Sequence, residues 1–273
     1  MSFIDRWMRS IVPQSVRAKL RRSAAVNRLL AWRYGGPCHK PHPHAPYEIY
    51  FDGYRNIGWA AGNLAEIEGE EMVFAMEMIK RKPCRCAWDI GANVGFWSLF
   101  LAGIEPPIER ICAFEPDSTN LGYLRLNQEK NHLDRLLIRE VGLSDQPGRA
   151  TFFADELTGS TGSLERERDF IGENYGQARR EVTIPLSTVD AECGTGLPPP
   201  DFIKIDVEGH EWNVLKGAQR TLAEHHPSLI MEVTQRHDEV GKLLQGMGYQ
   251  LLDPHNGKPL ERPQFATAAV WAG

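Results

Sequence analysis

Residues 86–102 pass from a short apolar strand, Cys86–Asp89, through the turn Gly91-Ala92-Asn93-Val94-Gly95 into an apolar helix, Phe96–Ala102. A strand that feeds a helix this abruptly commits the chain to a crossover, because the next parallel strand must come back over the sheet. The unit then repeats: Ile111–Phe114 reads as a strand closed by Glu115-Pro116, and Ser118–Asn131 as a helix. Further strands are predicted at Leu136–Val141, Thr151–Phe153, Val182–Pro185, Phe202–Asp206, Leu229–Val233 and Tyr249–Leu252, with an edge strand at Thr267–Trp271. Helices are predicted at Glu68–Arg81, Glu211–Glu224 and His237–Gly246. Strand–helix–strand halves joined by crossovers predict an α/β fold: a doubly wound sheet with helices on both faces. With 273 residues the chain suits one large domain, placed at 47–273.

Charge is unevenly distributed. Residues 1–34 carry eight basic groups and one acid, a net +7, while 35–273 hold 23 basic against 35 acidic groups, a net −12. A body that acidic is a poor match for a nucleic-acid backbone, so nucleic-acid partners are not expected. In the basic head, Phe3, Ile4, Trp7, Met8, Ile11 and Val12 fall at helical spacing, with Arg6 and Arg9 toward the other side. Such a helix lies on an anionic membrane surface, or packs on the domain or on a second subunit of a homo-oligomer. The apolar run is too short for a secretory core and no run of about 18 apolar residues occurs. Five scattered cysteines fit a reducing compartment. The expected location is therefore cytoplasmic, with peripheral contact at the inner membrane surface left open. Residues 35–46 (GGPCHKPHPHAP) are expected to be a Pro/His-rich solvated linker.

In a doubly wound sheet, ligands bind beyond the carboxyl ends of the strands at the switch point. There Gly91 and Gly95 let the backbone turn close to a ligand, and Glu115 offers a carboxylate to both hydroxyls of a ribose. A dinucleotide site wants a second glycine where Asn93 stands, and Asp89 would face its phosphates. Asp89 suits an ammonium better. Ribose, ammonium and no phosphate together describe S-adenosylmethionine. A nicotinamide-dependent oxidoreductase is the competing enzyme class, and a nucleoside-binding module without catalysis is a third reading. Ser144 and Asp145, after the third strand, place a carboxylate where an adenine amine could donate to it; an ordinary turn before Pro147-Gly148 explains the same residues.

Near the last third of the chain, Phe202, Lys204 and Asp206 share one face of a strand, and Ile203, Ile205 and Val207 the other. A lysine inside an apolar strand needs a partner, and Asp206 and Glu232 are the candidates. The cluster serves either chemistry at the sheet edge or a structural ion-pair network.

Taken together, DIGANVGFWSL, AFEPDSTN, LSD and IKIDVEGHEWNVLKGA resemble the FkbM-type S-adenosylmethionine-dependent methyltransferases, over about residues 70–249. The resemblance implies a class I methyltransferase (Rossmann-like) fold and O-methylation of a hydroxyl on a sugar, glycan or polyketide-like acceptor. It places Asp89, Gly91, Asn93, Gly95, Glu115, Ser144 and Asp145 around the cofactor, with Asp206, Glu208 and His210 toward the methyl group. Ser163-Leu164 resembles a pair in the family's variable insertion. An aliphatic hydroxyl needs a base or a metal to take its proton. His210, Asp206 and Glu208 are the candidate bases, with Lys204 tuning the carboxylates. If a divalent metal takes part, Asp206 and Glu232 are its candidate ligands. The insertion 155–180 is expected to cover the site as a lid, with Tyr175, Arg179 and Arg180 available to a glycan acceptor.

Overall fold

A computed structural model describes residue 20 and residues 23–157, 159, 161–165 and 179–273. The amphipathic stretch Phe3–Val12, Tyr175 and most of the insertion lie outside the described residues. Helix α1 (Ala24–Tyr34) leads into β1 (Pro37–Pro41) and β2 (Glu48–Asp52), then α2 (Ile57–Ala60) and α3 (Gly69–Arg81). The crossover units follow as β3 (Cys86–Ile90), α4 (Phe96–Ala102), β4 (Arg110–Phe114), α5 (Ser118–Lys130) and β5 (Leu136–Arg139). After β6 (Gly142–Leu143), β7 (Gly148–Ala154), β8 (Arg180–Ser187) and α6 (Val189–Gly194) come β9 (Phe202–Ile205), α7 (Glu211–Lys216) and α8 (Gln219–His225). The chain ends with β10 (Ser228–Glu232), α9 (His237–Gly246), β11 (Tyr249–Leu252) and β12 (Ala266–Trp271).

Seven strands form the main sheet in the order β11-β12-β10-β9-β3-β4-β5. The strands β5, β4, β3, β9 and β10 are parallel. β12 is wedged between β10 and β11, antiparallel to both. The chain leaves β3 toward β4 and β5 on one side and returns to β9 and β10 on the other, so the switch point lies between β3 and β9. This is the doubly wound, Rossmann-like sheet that the alternating pattern predicts.

Side-chain alternation divides the core. Ala87, Phe202 and Ile230 pack beneath α3 and α4, while Trp88, Ile90, Ile203, Ile205 and Met231 face α7, α8 and α9. Asp117 caps α5, accepting from Thr119 N at 2.9 Å and Asn120 N at 3.0 Å; such a cap contributes about 1 kcal/mol.

Three expectations need correction. Residues 35–46 are not a solvated linker, because β1 pairs with β2 as an antiparallel hairpin. Ile49 and Phe51 of β2 are fully buried. His42 is buried too, its Nε2 3.0 Å from Phe96 O and its ring 4.4 Å from that of Phe96. Pro37 and Pro41 occupy the two ends of β1, where a missing N–H costs little, and Pro43 and Pro46 lie in the turn that follows. Next, the strands expected at Thr151–Phe153 and Val182–Pro185 leave the main sheet and join β6 in a separate sheet of order β6-β8-β7. Finally, the helix expected over Glu211–Glu224 breaks between α7 and α8, where a Cβ on Gly217 would sit 2.0 Å from Ser144 O. The break lets α7 lie against the β6 loop.

Candidate active site

The sheet's carboxyl edge at the switch point opens into a cleft lined by Gly91, Asn93, Glu115, Asn120, Leu143 and Asp206, among others. Gly91 is there by necessity. Its φ is +79°, and a Cβ would lie 1.8 Å from Asp206 O, so any side chain would prise β3 from β9. Gly95 (φ +96°) starts α4, and Asn93 takes the left-handed conformation (φ 53°). Such a conformation is tolerated by asparagine better than by most residues.

The Glu115 carboxylate is buried and fixed by backbone donors: Asn93 N donates to Oε2 at 2.8 Å and Asp117 N to Oε1 at 2.7 Å. Burial pushes its pKa up to about 7, against the pull of those two hydrogen bonds. A carboxylate so held keeps lone pairs for a ligand's hydroxyl donors.

Asp89 is fully buried rather than open to the cleft. Ser98 Oγ donates to its Oδ2 at 2.6 Å, and Oδ1 has no partner among the described residues. Burial holds its pKa above the ordinary carboxylate range, against the opposing charge of Lys204. A buried carboxylate oxygen left over in this way fits a cationic or donating group arriving at the turn.

A second cluster adjoins the first through strand register. Asp89 stands opposite Lys204, and Lys204 opposite Ile230. One alternation further along, Asp206 and Glu232 occupy the same face. Lys204 donates to Asp206 Oδ2 at 2.9 Å, which pairs the buried lysine as its sequence context requires. Burial works against its ammonium, but Asp206, Asp89 and Glu68 outweigh that and hold its pKa above the usual lysine value.

Glu68, at the start of α3, is a member that sequence spacing does not reveal. It accepts from Trp97 Nε1 at 2.5 Å. Carboxylate oxygens of Glu68, Asp206 and Glu232 lie within 4.8 Å of one another, close enough to share a cation. Burial, and then Asp206, push Glu232 up to about 9.

The other expected residues are placed as follows. Glu208 lines the cleft in a left-handed turn (φ 45°). Ser144 and Asp145 have their side chains engaged with the protein, and the cleft wall at that loop is Val141, Gly142 and Leu143. Ser144 Oγ lies 2.9 Å from His210 Nε2 and donates to Asp145 Oδ1 at 3.1 Å. Asp145 Oδ2 accepts from Lys216 at 2.6 Å, a contact that holds its pKa below the usual carboxylate value. His210 is buried, and its Nδ1 meets Glu165 Oε1 at 2.7 Å. Arg179 stacks on Phe153 at 4.4 Å, and the exposed Arg180 pairs with the exposed Glu156 at 2.5 Å.

The start of the insertion forms a strap over the cleft. Gly159 O accepts from Asn93 Nδ2 at 3.0 Å and Asn120 Nδ2 at 3.3 Å. Ser163 forms a bridge with Phe153, and its Oγ donates to Glu208 O at 2.7 Å. Gly159, Gly162 and Leu164 complete the cleft wall. Arg55 anchors the strap's root by donating to Asp155 O at 2.7 Å. Asn120, Arg55 and Glu165 act here through tertiary contacts 39 to 100 residues apart in sequence, which no local motif announces.

Residues 89–252, well over half of the chain, match the methyltransferase FkbM domain. The chain belongs to the FkbM methyltransferase family. Among the proteins it is similar to, the 2-O-methyltransferase NoeI of Sinorhizobium fredii is 31% identical over 152 residues, covering 52% of this chain and 61% of that protein. The 31-O-demethyl-FK506 methyltransferase FkbM of Streptomyces tacrolimicus is 26% identical over 202 residues, covering 64% of this chain and 76% of that one. The hexuronic acid methyltransferase AglP of Haloferax volcanii is 24% identical over 160 residues, covering 58% and 60%. The chain thus spans about three-fifths of the length of the first and third of these relatives. The family match covers both halves of the cleft, from Asp89 through Glu115 to Glu232. No helix among the described residues is long and apolar enough to cross a membrane.

Proposed function

We propose that the protein is an S-adenosylmethionine-dependent O-methyltransferase acting on a hydroxyl of a sugar, glycan or polyketide-like acceptor. The observation that carries this reading is the buried Glu115 carboxylate, fixed by Asn93 N and Asp117 N beside the Gly91–Gly95 turn. The residues present fit the cofactor: Glu115 on the cleft wall for the ribose hydroxyls, the positive-φ turn Gly91–Gly95 beside it, and the unpartnered Asp89 Oδ1 buried beneath that turn for the ammonium side. When bound, the cofactor supplies an electrophilic methyl group on a sulfonium. Relatives whose names specify O-methylation and a hexuronic acid support the acceptor class.

In this reading Asp206 and Glu208, both on the cleft wall, are the bases in reach of the acceptor hydroxyl, and one of the two carboxylates accepts its hydrogen bond and takes its single proton as the oxygen attacks. Lys204 holds Asp206 in one orientation, which keeps the nucleophile in line. The strap excludes water from the cleft and narrows the choice of acceptor.

Calorimetry with S-adenosylhomocysteine tests the cofactor, and transfer of a labelled methyl group to a panel of sugar and polyketide hydroxyls tests the acceptor. Micromolar binding and labelled ether product are expected. Binding of NAD in place of S-adenosylhomocysteine would sink the reading, and labelled amine or carboxyl products would overturn the acceptor class.

A further inference from the structure

Four side chains and a lysine form one unbroken row across the cleft's outer side. Lys216 Nζ meets Asp145 Oδ2 at 2.6 Å, Ser144 Oγ meets Asp145 Oδ1 at 3.1 Å, His210 Nε2 meets Ser144 Oγ at 2.9 Å, and Glu165 Oε1 meets His210 Nδ1 at 2.7 Å. The row ties together three separate pieces of chain: the loop after β6, the start of α7, and the strap. Ser144 and His210 are both buried, so water does not compete freely for the middle of it.

Counting donors limits what His210 can do. Ser144 has one hydroxyl proton. If it goes to Asp145, His210 must donate to Ser144 through Nε2 and to the Glu165 carboxylate through Nδ1. If it goes instead to Nε2, the ring carries its proton on Nδ1 and again donates to Glu165. Asn213 Nδ2 also lies 3.1 Å from Nδ1, but an amide neighbour does not remove the carboxylate's need for a donor. In both arrangements Nε2 is occupied by Ser144 and Nδ1 by Glu165, which leaves no ring nitrogen facing a substrate.

We infer that Glu165 is a positioning residue that latches the strap over the cleft through His210, and that His210 serves this latch instead of acting as the general base. This rests on the methyltransferase reading only for its consequence, namely that the strap controls release of the cofactor product. The strap touches the turn through Asn93, α5 through Asn120 and the Asp206–His210 bend through Ser163 and Glu165. Opening one end therefore loosens the cover over both halves of the cleft. Because Ser144 sits on the loop next to the cleft wall, the seating of that loop and the closure of the strap are coupled through one imidazole.

Two measurements on the full-length protein decide it. Hydrogen exchange without ligand reads the strap directly: Phe153 N and Ser163 N, which bond across the bridge at 2.8 and 3.2 Å, should exchange about tenfold faster in Glu165→Ala. Stopped-flow dissociation of S-adenosylhomocysteine should accelerate about tenfold in the same variant, while kcat at saturating acceptor changes less than KM. Glu165→Gln keeps an oxygen for the Nδ1 proton and should stay within about threefold of the parent in both readouts. Unchanged exchange in Glu165→Ala overturns the latch. So does a Gln variant as damaged as the Ala variant, because a positioning role through an accepted hydrogen bond predicts rescue. Faster exchange in a protein that fails to bind S-adenosylhomocysteine keeps the latch and removes the methyltransferase reading.

Discussion

The two halves of the cleft are built on different principles. On the β3–β4 side, a buried carboxylate is held by backbone N–H groups and a glycine turn, all within about 30 residues of sequence. On the β9–β10 side, Asp206, Glu232, Glu68 and Asp89 crowd around one ammonium, and the members come from four separate elements. Local backbone geometry makes the first half a rigid cradle. The second half is an overcharged cluster whose arrangement depends on Lys204, and such clusters suit proton handling because their protonation states lie close in energy.

That contrast is open to direct attack. The largest effect should come from Lys204→Met. Removing the cation leaves buried carboxylates facing each other, and denaturant unfolding should show a loss of about 3–5 kcal/mol. A loss under about 1 kcal/mol would mean that the cluster is well solvated and the contrast false. In the cradle, Glu115→Ala deletes a fixed acceptor for two donors, so calorimetry should show S-adenosylhomocysteine binding weaker by about 100-fold. Retention within threefold would place the ribose elsewhere.

The pH dependence separates the halves more finely. Ribose hydroxyls donate to Glu115, so binding favours its ionised form. With a pKa raised to about 7 by burial, affinity should climb about tenfold from pH 6 to pH 8 and then level off. Without ligand the sign reverses. An acid whose folded pKa is raised contributes stability below about pH 4.5 that is lost as pH rises through about 7. Glu115→Gln should flatten the binding profile, and a slope that survives would assign the titration to the acidic cluster instead. The smallest effect should be that of Asn120→Ala, which removes one of two donors to Gly159 O. S-adenosylhomocysteine should dissociate about threefold faster, and no change would show that Asn93 alone holds the strap there.

Legibility in the sequence follows the same division. Cys86–Ala102 can be read as strand, turn and helix because hydrophobic period and glycine placement are local signals, and the structure keeps Phe96–Ala102 as predicted. The pairing of Lys204 with Asp206 was legible as well, since residues two apart on a strand share a face. The hairpin of residues 37–52 was not. Its prolines and histidines look like loop, and only the burial of Ile49, Phe51 and His42 against α4 and α5 makes it a strand pair. His210 could be read as a candidate base from its imidazole and the family resemblance, but the contacts of its two ring nitrogens with Ser144 and Glu165, 66 and 45 residues away, could not.

What the amino-acid order determined by itself is the doubly wound sheet, the glycine turn at Gly91 and the acid that ends β4, because backbone sterics and hydrophobic periodicity act over a few residues. Only the tertiary structure decided that Glu68 joins Asp206 and Glu232, that Asp89 lies buried beneath the turn with one carboxylate oxygen unpartnered among the described residues, and that Glu165 ties the strap to His210. These depend on desolvation and on donor–acceptor matching between distant segments, quantities that exist only once the chain has closed around them.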